Sequence, residues 1–111
     1  MEQLFFEGET FERIDFKKTL LEKGEYENCI FKECDFSDSD LSDIKFIECE
    51  FIGCNLSLAK LTATLLVDTV FKDCKMLGLH FEDCSVAGLS FRFETCNLSQ
   101  CSFFKRNLKK T

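Results

Sequence analysis

The sequence predicts an all-β solenoid, a parallel β-helix in which three-residue strands alternate with corners and successive coils stack. Three observations predict it. Every fifth residue from Phe6 to Phe91 is apolar or aromatic, eighteen positions without exception, whereas a helix repeats at 3.6 residues and a plain strand at two. All eight cysteines fall in one register, two residues before a position of that series. The two residues after each such position are rich in Ser, Asp, Glu, Lys and Gly, which suits a corner.

Let each residue of the series be a central position. The residue two before it faces the same side of an extended segment, and the one between faces away. Cysteine shares this small inner position with Thr19, Gly24, Ser39, Ala59, Thr64 and Thr69, so it reads as a small apolar filler. No pentad buries its side chains alone. Parallel ladders between successive coils satisfy the backbone, and the stack makes the core. At 111 residues and 12.9 kDa, one domain covering 1–111 is expected.

In chain order, the opening MEQLFFEGETFERIDF has no basic n-region and no apolar run, so no signal peptide is expected. Nothing nears the ~18 consecutive apolar residues of a membrane span. Glu9 takes an inner-type position, so the first coil is expected to be incomplete or open. Regular repeats then run through 6–91 with no sizeable projecting loop. A two-residue slip is expected within 92–97, with Phe93 as the surplus aromatic, and the series resumes at Leu98, Phe103 and Leu108. Arg106 falls at an inner position where an unpaired cation is costly to bury, so KRNLKKT is expected to be an exposed end. Thr111 opens a further pentad, as in one end of a longer solenoid.

Twenty acids against fourteen bases, a net charge of −6, disfavour a generic nucleic-acid binder. Residues 1–55 hold fifteen acids and six bases; residues 56–111 hold five and eight, ending in Lys105, Arg106, Lys109 and Lys110. A metal site is not expected, because the cysteines are spaced by fives and not by the two to four residues of structural zinc pairs. His80, the one histidine, faces out while every cysteine faces in, so a Cys–His nucleophile is not expected. Asp35, Asp38, Asp40 and Asp43 lie at corner and outward positions, without the burial that tunes a catalytic carboxylate, and are candidates for a partner-binding surface. Ile30, Ile47, Leu65, Val67 and Val70 are apolar residues at outward positions, and of these Ile47, Val67 and Val70 are candidate contact residues.

Segments such as CIFKECDFSDSDLSDIKF and CEFIGCNLSLAKL resemble the pentapeptide-repeat family across roughly residues 6–110. The resemblance implies a right-handed quadrilateral β-helix with four pentads per coil, hence about five coils here. On that plan Phe11, Phe31, Phe51, Phe71 and Phe91 stack in one ladder, and Cys34, Cys54, Cys74 and Cys96 share a column. Parallel Cβ vectors ~4.8 Å apart exceed the ~3.8 Å a disulfide prefers, so reduced thiols and a cytoplasmic location are expected. The outward apolar residues then gather about one corner, with Ile52 beside them.

Within the family the chain looks most like the bacterial proteins of quinolone resistance and microcin immunity, through FKECDFS, FKDCKMLGLHFEDC and SFRFETCNLSQCSFF. That resemblance implies a non-enzymatic, cofactor-free interaction module that binds DNA gyrase or topoisomerase IV by DNA mimicry, without contacting nucleic acid itself. The other reading is a structural solenoid or scaffold fragment with an unknown protein partner. Open strand edges and the uneven charge lead to an expectation of self-association, as a homodimer, at high concentration.

Overall fold

The pentad pattern folds as extended segments of three or four residues, with one inner position at each end or centre and outward residues between them. In the computed structural model, which describes residues 4–86 and 88–103, they are β1 (Leu4–Glu7), β2 (Thr10–Glu12), β3 (Gly24–Glu27), β4 (Ile30–Lys32), β5 (Lys45–Ile47), β6 (Glu50–Ile52), β7 (Leu65–Val67), β8 (Thr69–Lys72) and β9 (Phe91–Glu94). One 3-10 turn spans Phe81–Asp83, and the described residues contain no α-helix. All pairing is parallel. β1-β3-β5-β7 form one sheet and β2-β4-β6-β8-β9 the other. Partners lie twenty residues apart, as in Phe31↔Phe51 and Phe46↔Leu66, so one coil is four pentads.

The coil therefore has four faces. Face 1 is the β1-β3-β5-β7 sheet and face 2 is the β2-β4-β6-β8-β9 sheet. Face 3 is a column of single bridges, Asp15↔Asp35↔Asn55↔Lys75↔Asn97, and face 4 carries Asp40↔Lys60 and His80↔Ser102. The chain completes four turns and enters a fifth.

Most corners turn on one residue in the left-handed region, two places after the central residue. Glu33, Asp38, Asp43, Glu48, Gly53, Leu58, Ala63, Asp68 and Asp73 all have φ between 50° and 65°. Most are not glycine, and this conformation costs an L-residue roughly 1 kcal/mol. The offset is a hydrogen bond. Glu33 N–H donates to Ile52 O at 2.8 Å, Asp38 N–H to Ser57 O at 2.9 Å and Glu48 N–H to Val67 O at 2.8 Å, each on the next coil.

The central residues fill the axis. Phe11, Phe31, Phe51 and Phe71 stack at 4.9, 4.7 and 5.0 Å between centroids, within the range of favourable offset stacking. Phe6, Tyr26 and Phe46 stack likewise on face 1. The small inner residues are more than filler. Cys54 Sγ–H donates to Phe31 O, Cys74 to Phe51 O and Cys96 to Phe71 O, while Thr64 and Thr69 donate to Leu41 O and Phe46 O. Each of these donors reaches back to a central carbonyl of the preceding coil, whereas Ile44, Ala59 and Leu79 fill the same inner position without donating. On face 1 the inner column also holds Gly24, where a Cβ would meet Leu4 O at 2.6 Å, and the buried apolar Ile44.

The slip lies earlier than 92–97. β8 and β9 pair as Thr69↔Phe91, Phe71↔Phe93 and Lys72↔Glu94, already 22 residues apart. The two extra residues are therefore taken up before β9, and Val86, read as central, is 71% exposed. Phe93 is not surplus: it stacks on Phe71 at 5.6 Å and continues the ladder in place of Phe91, which takes the inner position beside Thr69 and packs on Phe81 at 5.3 Å. The pattern misleads because Phe91 and Phe93 are two apart, and an extended strand points both inward. In this register Lys72 lies 3.8 Å from Glu94. The expectations for Arg106, Leu108 and Thr111 fall outside the described residues.

Candidate functional site

Among the described residues the axis is filled by packed side chains. An axial gap of about 10 Å³, lined by Leu41, Phe46, Phe51, Leu56, Leu61, Thr64, Leu66, Phe71, Met76, Leu79 and Phe81, is at the lower limit for one water and has no polar lining that needs one. Among the described residues no buried side-chain nitrogen or oxygen lacks a hydrogen-bond partner. Nor does any group of three His, Cys, Asp or Glu side chains stand where it could share a metal ion. No helix among them is long and apolar enough to cross a membrane.

The eight cysteines are free thiols. Six are buried, while Cys96 and Cys101 are half-buried at the C-terminal end of the stack. Burial pushes the Cys49 and Cys84 thiols up to about 12. In the face 3 column the neighbouring thiols of Cys34 and Cys74, with burial, push Cys54 strongly up. These three are the opposite of the thiolates that nucleophilic catalysis needs, whereas the hydrogen bond with Cys54 lowers the buried Cys34 and Cys74 thiols, which face the core with no histidine beside them. A shallow crevice of about 180 Å³ on face 4 includes Leu58, Lys60, Gly78, His80 and Asp83. Beside it His80 Nδ1 lies 2.9 Å from Ser102 Oγ, and Ser102 Oγ–H donates to Glu82 at 2.8 Å. The same imidazole nitrogen lies 3.4 Å from Glu82, so serine and carboxylate crowd one side of the ring and no relay through the histidine forms.

The candidate aspartates divide into two kinds. Asp35 and Asp40 belong to the corners. Asp35 Oδ1 accepts from Ser37 N–H at 2.9 Å and from Ser37 Oγ–H at 2.6 Å; Asp40 Oδ1 accepts from Ser42 N–H at 2.9 Å. Asn55 and Asn97 make the same bond to Ser57 and Ser99. Hydrogen bonding from Ser37 and Ser42 holds the Asp35 and Asp40 carboxyls below the usual range, with lesser help from Lys17 and Lys23. Asp38 and Asp43 are exposed at the left-handed corners with φ of 60° and 65°. All four lie in the second coil, wrapped around faces 3 and 4.

Ile47, Val67 and Val70 lie elsewhere. Ile47 and Val67 pair across β5 and β7 on face 1, and Val70 opens face 2 just past the intervening corner. They meet on the edge diagonally opposite Asp38. All three are half-buried, and the backbone at Gly88, in the stretch that takes up the two extra residues, lies close to Val67. The seven candidate residues thus make two surfaces, not one.

A third charged group was not singled out by the sequence pattern. Glu7, Glu25 and Glu27 share the outer side of face 1, and Glu48 lies on the adjoining corner. Partial burial, then Glu25, Glu7 and Glu48, raise the Glu27 carboxyl above its usual range. The signal was present in the twenty-residue offsets 7, 27 and 47 and 5, 25 and 45, which place these residues in adjoining columns. Charge is graded along the axis too. Residues 4–43, the first two coils, carry twelve acids and five bases, whereas residues 44–103 carry seven and five. The cations at 105, 106, 109 and 110 lie outside the described residues.

A family model described as a pentapeptide repeat region matches residues 24–103. A comparison with curated protein sequences finds no match. Among solved structures, full-length QnrB1, described as a plasmid-mediated fluoroquinolone resistance protein, is similar at 20% identity and a TM-score of 0.41 over 91% of this chain and 61% of that one. A trypsin-treated form of QnrB1 gives 24% identity and a TM-score of 0.43 over 95% and 60%. Rfr23, a pentapeptide repeat protein from the cyanobacterium Cyanothece 51142, gives 12% identity and a TM-score of 0.41 over 90% and 88%. The chain thus spans about three-fifths of QnrB1.

Proposed function

The chain belongs to the pentapeptide-repeat family, and from that premise we propose that it is a non-catalytic interaction module that meets a protein partner with its outer surface. The filled axis carries this reading: among the described residues the buried core is packed by Phe31, Phe51, Phe71 and their neighbours around an axial gap of about 10 Å³, and the charged side chains lie on the outside.

The partner is the DNA-binding surface of a type II topoisomerase, gyrase or topoisomerase IV, in a reducing cytoplasm. Charge density supports the reading. The first two coils span roughly 10 Å of axis at ~4.8 Å per coil and carry seven net negative charges. That is one per roughly 1.4 Å, against one per ~1.7 Å on duplex DNA. A cationic groove shaped for a duplex meets a comparable field here. Asp38 and Asp43, free at the corners, present charge to the partner, while Asp35 and Asp40 hold the corners that display them. Ile47, Val67 and Val70 stand apart from this contact.

The test is a gyrase supercoiling assay with and without a fluoroquinolone, together with retention of the purified chain on the immobilised A subunit. Dose-dependent change in supercoiling is expected, and it should weaken with salt. Asp38→Lys with Asp43→Lys should reduce it at least tenfold. Neither binding nor any effect on supercoiling at micromolar protein removes the topoisomerase reading and leaves the broader one to other partners.

A further inference from the structure

The outward side of face 1 has a middle and an edge. Phe5, Glu25, Lys45 and Leu65 run up its middle, one per coil, each between two inward neighbours, as Glu25 lies between Gly24 and Tyr26. Glu7, Glu27, Ile47 and Val67 lie at the edge, where the left-handed residues Gly8, Asn28, Glu48 and Asp68 turn the chain towards face 2. Phe5 is 54% exposed, and Glu25, Lys45 and Leu65 are half-buried. Among the described residues neither Glu25 nor Lys45 forms an ion pair, although β3 and β5 set them side by side. From one end of the rod to the other the middle column reads apolar, acidic, basic, apolar. A column of that order is complementary to its own reverse.

We propose that face 1 is the contact between two copies of this chain, side by side with antiparallel axes, about a twofold axis that passes between β3 and β5. In that register Glu25 of each copy meets Lys45 of the other and Phe5 meets Leu65, so two ion pairs are flanked by two apolar pairs. A shift of one coil either way sets Glu25 on Glu25 or Lys45 on Lys45 across the axis. Parallel rods, related by a twofold axis along their length, oppose like with like down the whole column.

Charge along the rod gives the same direction. Residues 4–43 carry a net charge of −7 and residues 44–103 a net charge of −2. The antiparallel pair lays the acidic coils of each copy beside the weakly charged coils of the other, whereas a parallel pair lays acidic coils beside acidic coils. At the edge, Ile47 and Val67 widen the apolar contact. Glu27 and Glu7 face them beside the exposed Asn28 and Gly8, where the carboxylates keep their water. The dimer leaves Asp38 on the opposite edge uncovered and presents acidic coils at both ends of the pair. It does not depend on which partner those coils meet.

Four rows at ~4.8 Å make a small face, so the dimer belongs to high micromolar protein and low salt. Sedimentation equilibrium of the parent should show a monomer–dimer equilibrium there, weakened as salt rises to about 0.5 M. E25K sets a lysine against Lys45 and K45E sets a glutamate against Glu25, so each variant alone should dimerise about tenfold or more weakly. Mixed one to one, the two variants should pair again, because both charge contacts across the axis then join an acid to a base. E25K/K45E, which exchanges the charges within one chain, should dimerise as the parent does. A parent that stays monomeric, single variants that dimerise as well as the parent, or a mixture and a double variant that recover nothing would each overturn the inference.

Discussion

At the scale of single residues, the small inner position shows what a pattern hides. Its register is plain in the sequence, and so is the preference for Cys, Ser and Thr. The hydrogen bond these three make is not, because the acceptor lies on another coil, twenty-three residues back. Thr69 Oγ–H donates to Phe46 O at 3.2 Å in a fully buried setting. Thr69→Val keeps shape and adds apolar surface, yet it leaves that carbonyl short of a donor. Urea unfolding should show a loss of about 1–3 kcal/mol, whereas Thr69→Cys, the residue at Cys29 and Cys49 in the same column, should stay within about 1 kcal/mol of the parent. Asp35 carries the corresponding lesson outside. Its folded-state carboxyl is depressed, so its contribution is present above the unfolded value near ~3.9 and is lost as pH falls through the lower folded value. Asp35→Asn retains the acceptor for Ser37, as Asn55 does for Ser57. It should leave stability near pH 7 almost unchanged and flatten its decline as pH falls below about 4, as thermal melts at falling pH would record.

Among the strands, the stack is the unit of stability. Phe51 lies between Phe31 and Phe71, at 4.7 and 5.0 Å, and edge-on to Phe36 and Phe46. Phe51→Ala should cost about 3–5 kcal/mol in chemical denaturation, because three coils line the hole and none can close it alone. A loss below about 1 kcal/mol would mean that the rings do not share one core. The four-residue strand β9 marks the limit of sequence reading here. A period-five series accepts Val86 and Phe91 as readily as it accepts the true ladder residue, Phe93, and only the cross-coil partners Phe71 and Lys72 decide between them. The aspartate candidates failed to form one surface for a related reason. Spacing along the chain told which side of the coil wall a residue faces, and the quadrilateral told which of four faces it joins, but Asp38 and Val67 end on opposite edges.

For the whole molecule, the first two coils hold most of the excess negative charge, and self-repulsion there opposes folding. Glu27 is the place to see it, since its carboxyl is raised by partial burial and by Glu25, Glu7 and Glu48. A carboxyl raised on folding weakens the fold once it ionises. Protonation as pH falls through its raised value, or Glu27→Gln at neutral pH, should therefore stabilise the protein. Moving from low salt to about 0.3 M should raise the melting temperature of the parent more than that of Glu27→Gln.

The buried thiol and hydroxyl donors all point the same way along the axis, towards the N-terminus, and this gives the rod a direction of growth. A ribosome delivers the first coil first. Each later coil then arrives with donors for carbonyls already in place: Cys29 and Cys34 for Phe6 and Phe11, Ser39 for Phe16, Cys54 for Phe31, Cys74 for Phe51. No such donor waits for a layer not yet made, so the nascent chain can add coils at the pace of translation. Shortening the rod from its two ends is then unequal. Ending the chain at residue 85 removes a layer and strands none of these donors, while deleting residues 1–23 takes from Cys29, Cys34 and Ser39 their acceptors on the preceding coil, Phe6, Phe11 and Phe16. Limited proteolysis of the two shortened chains should find the second digested much faster.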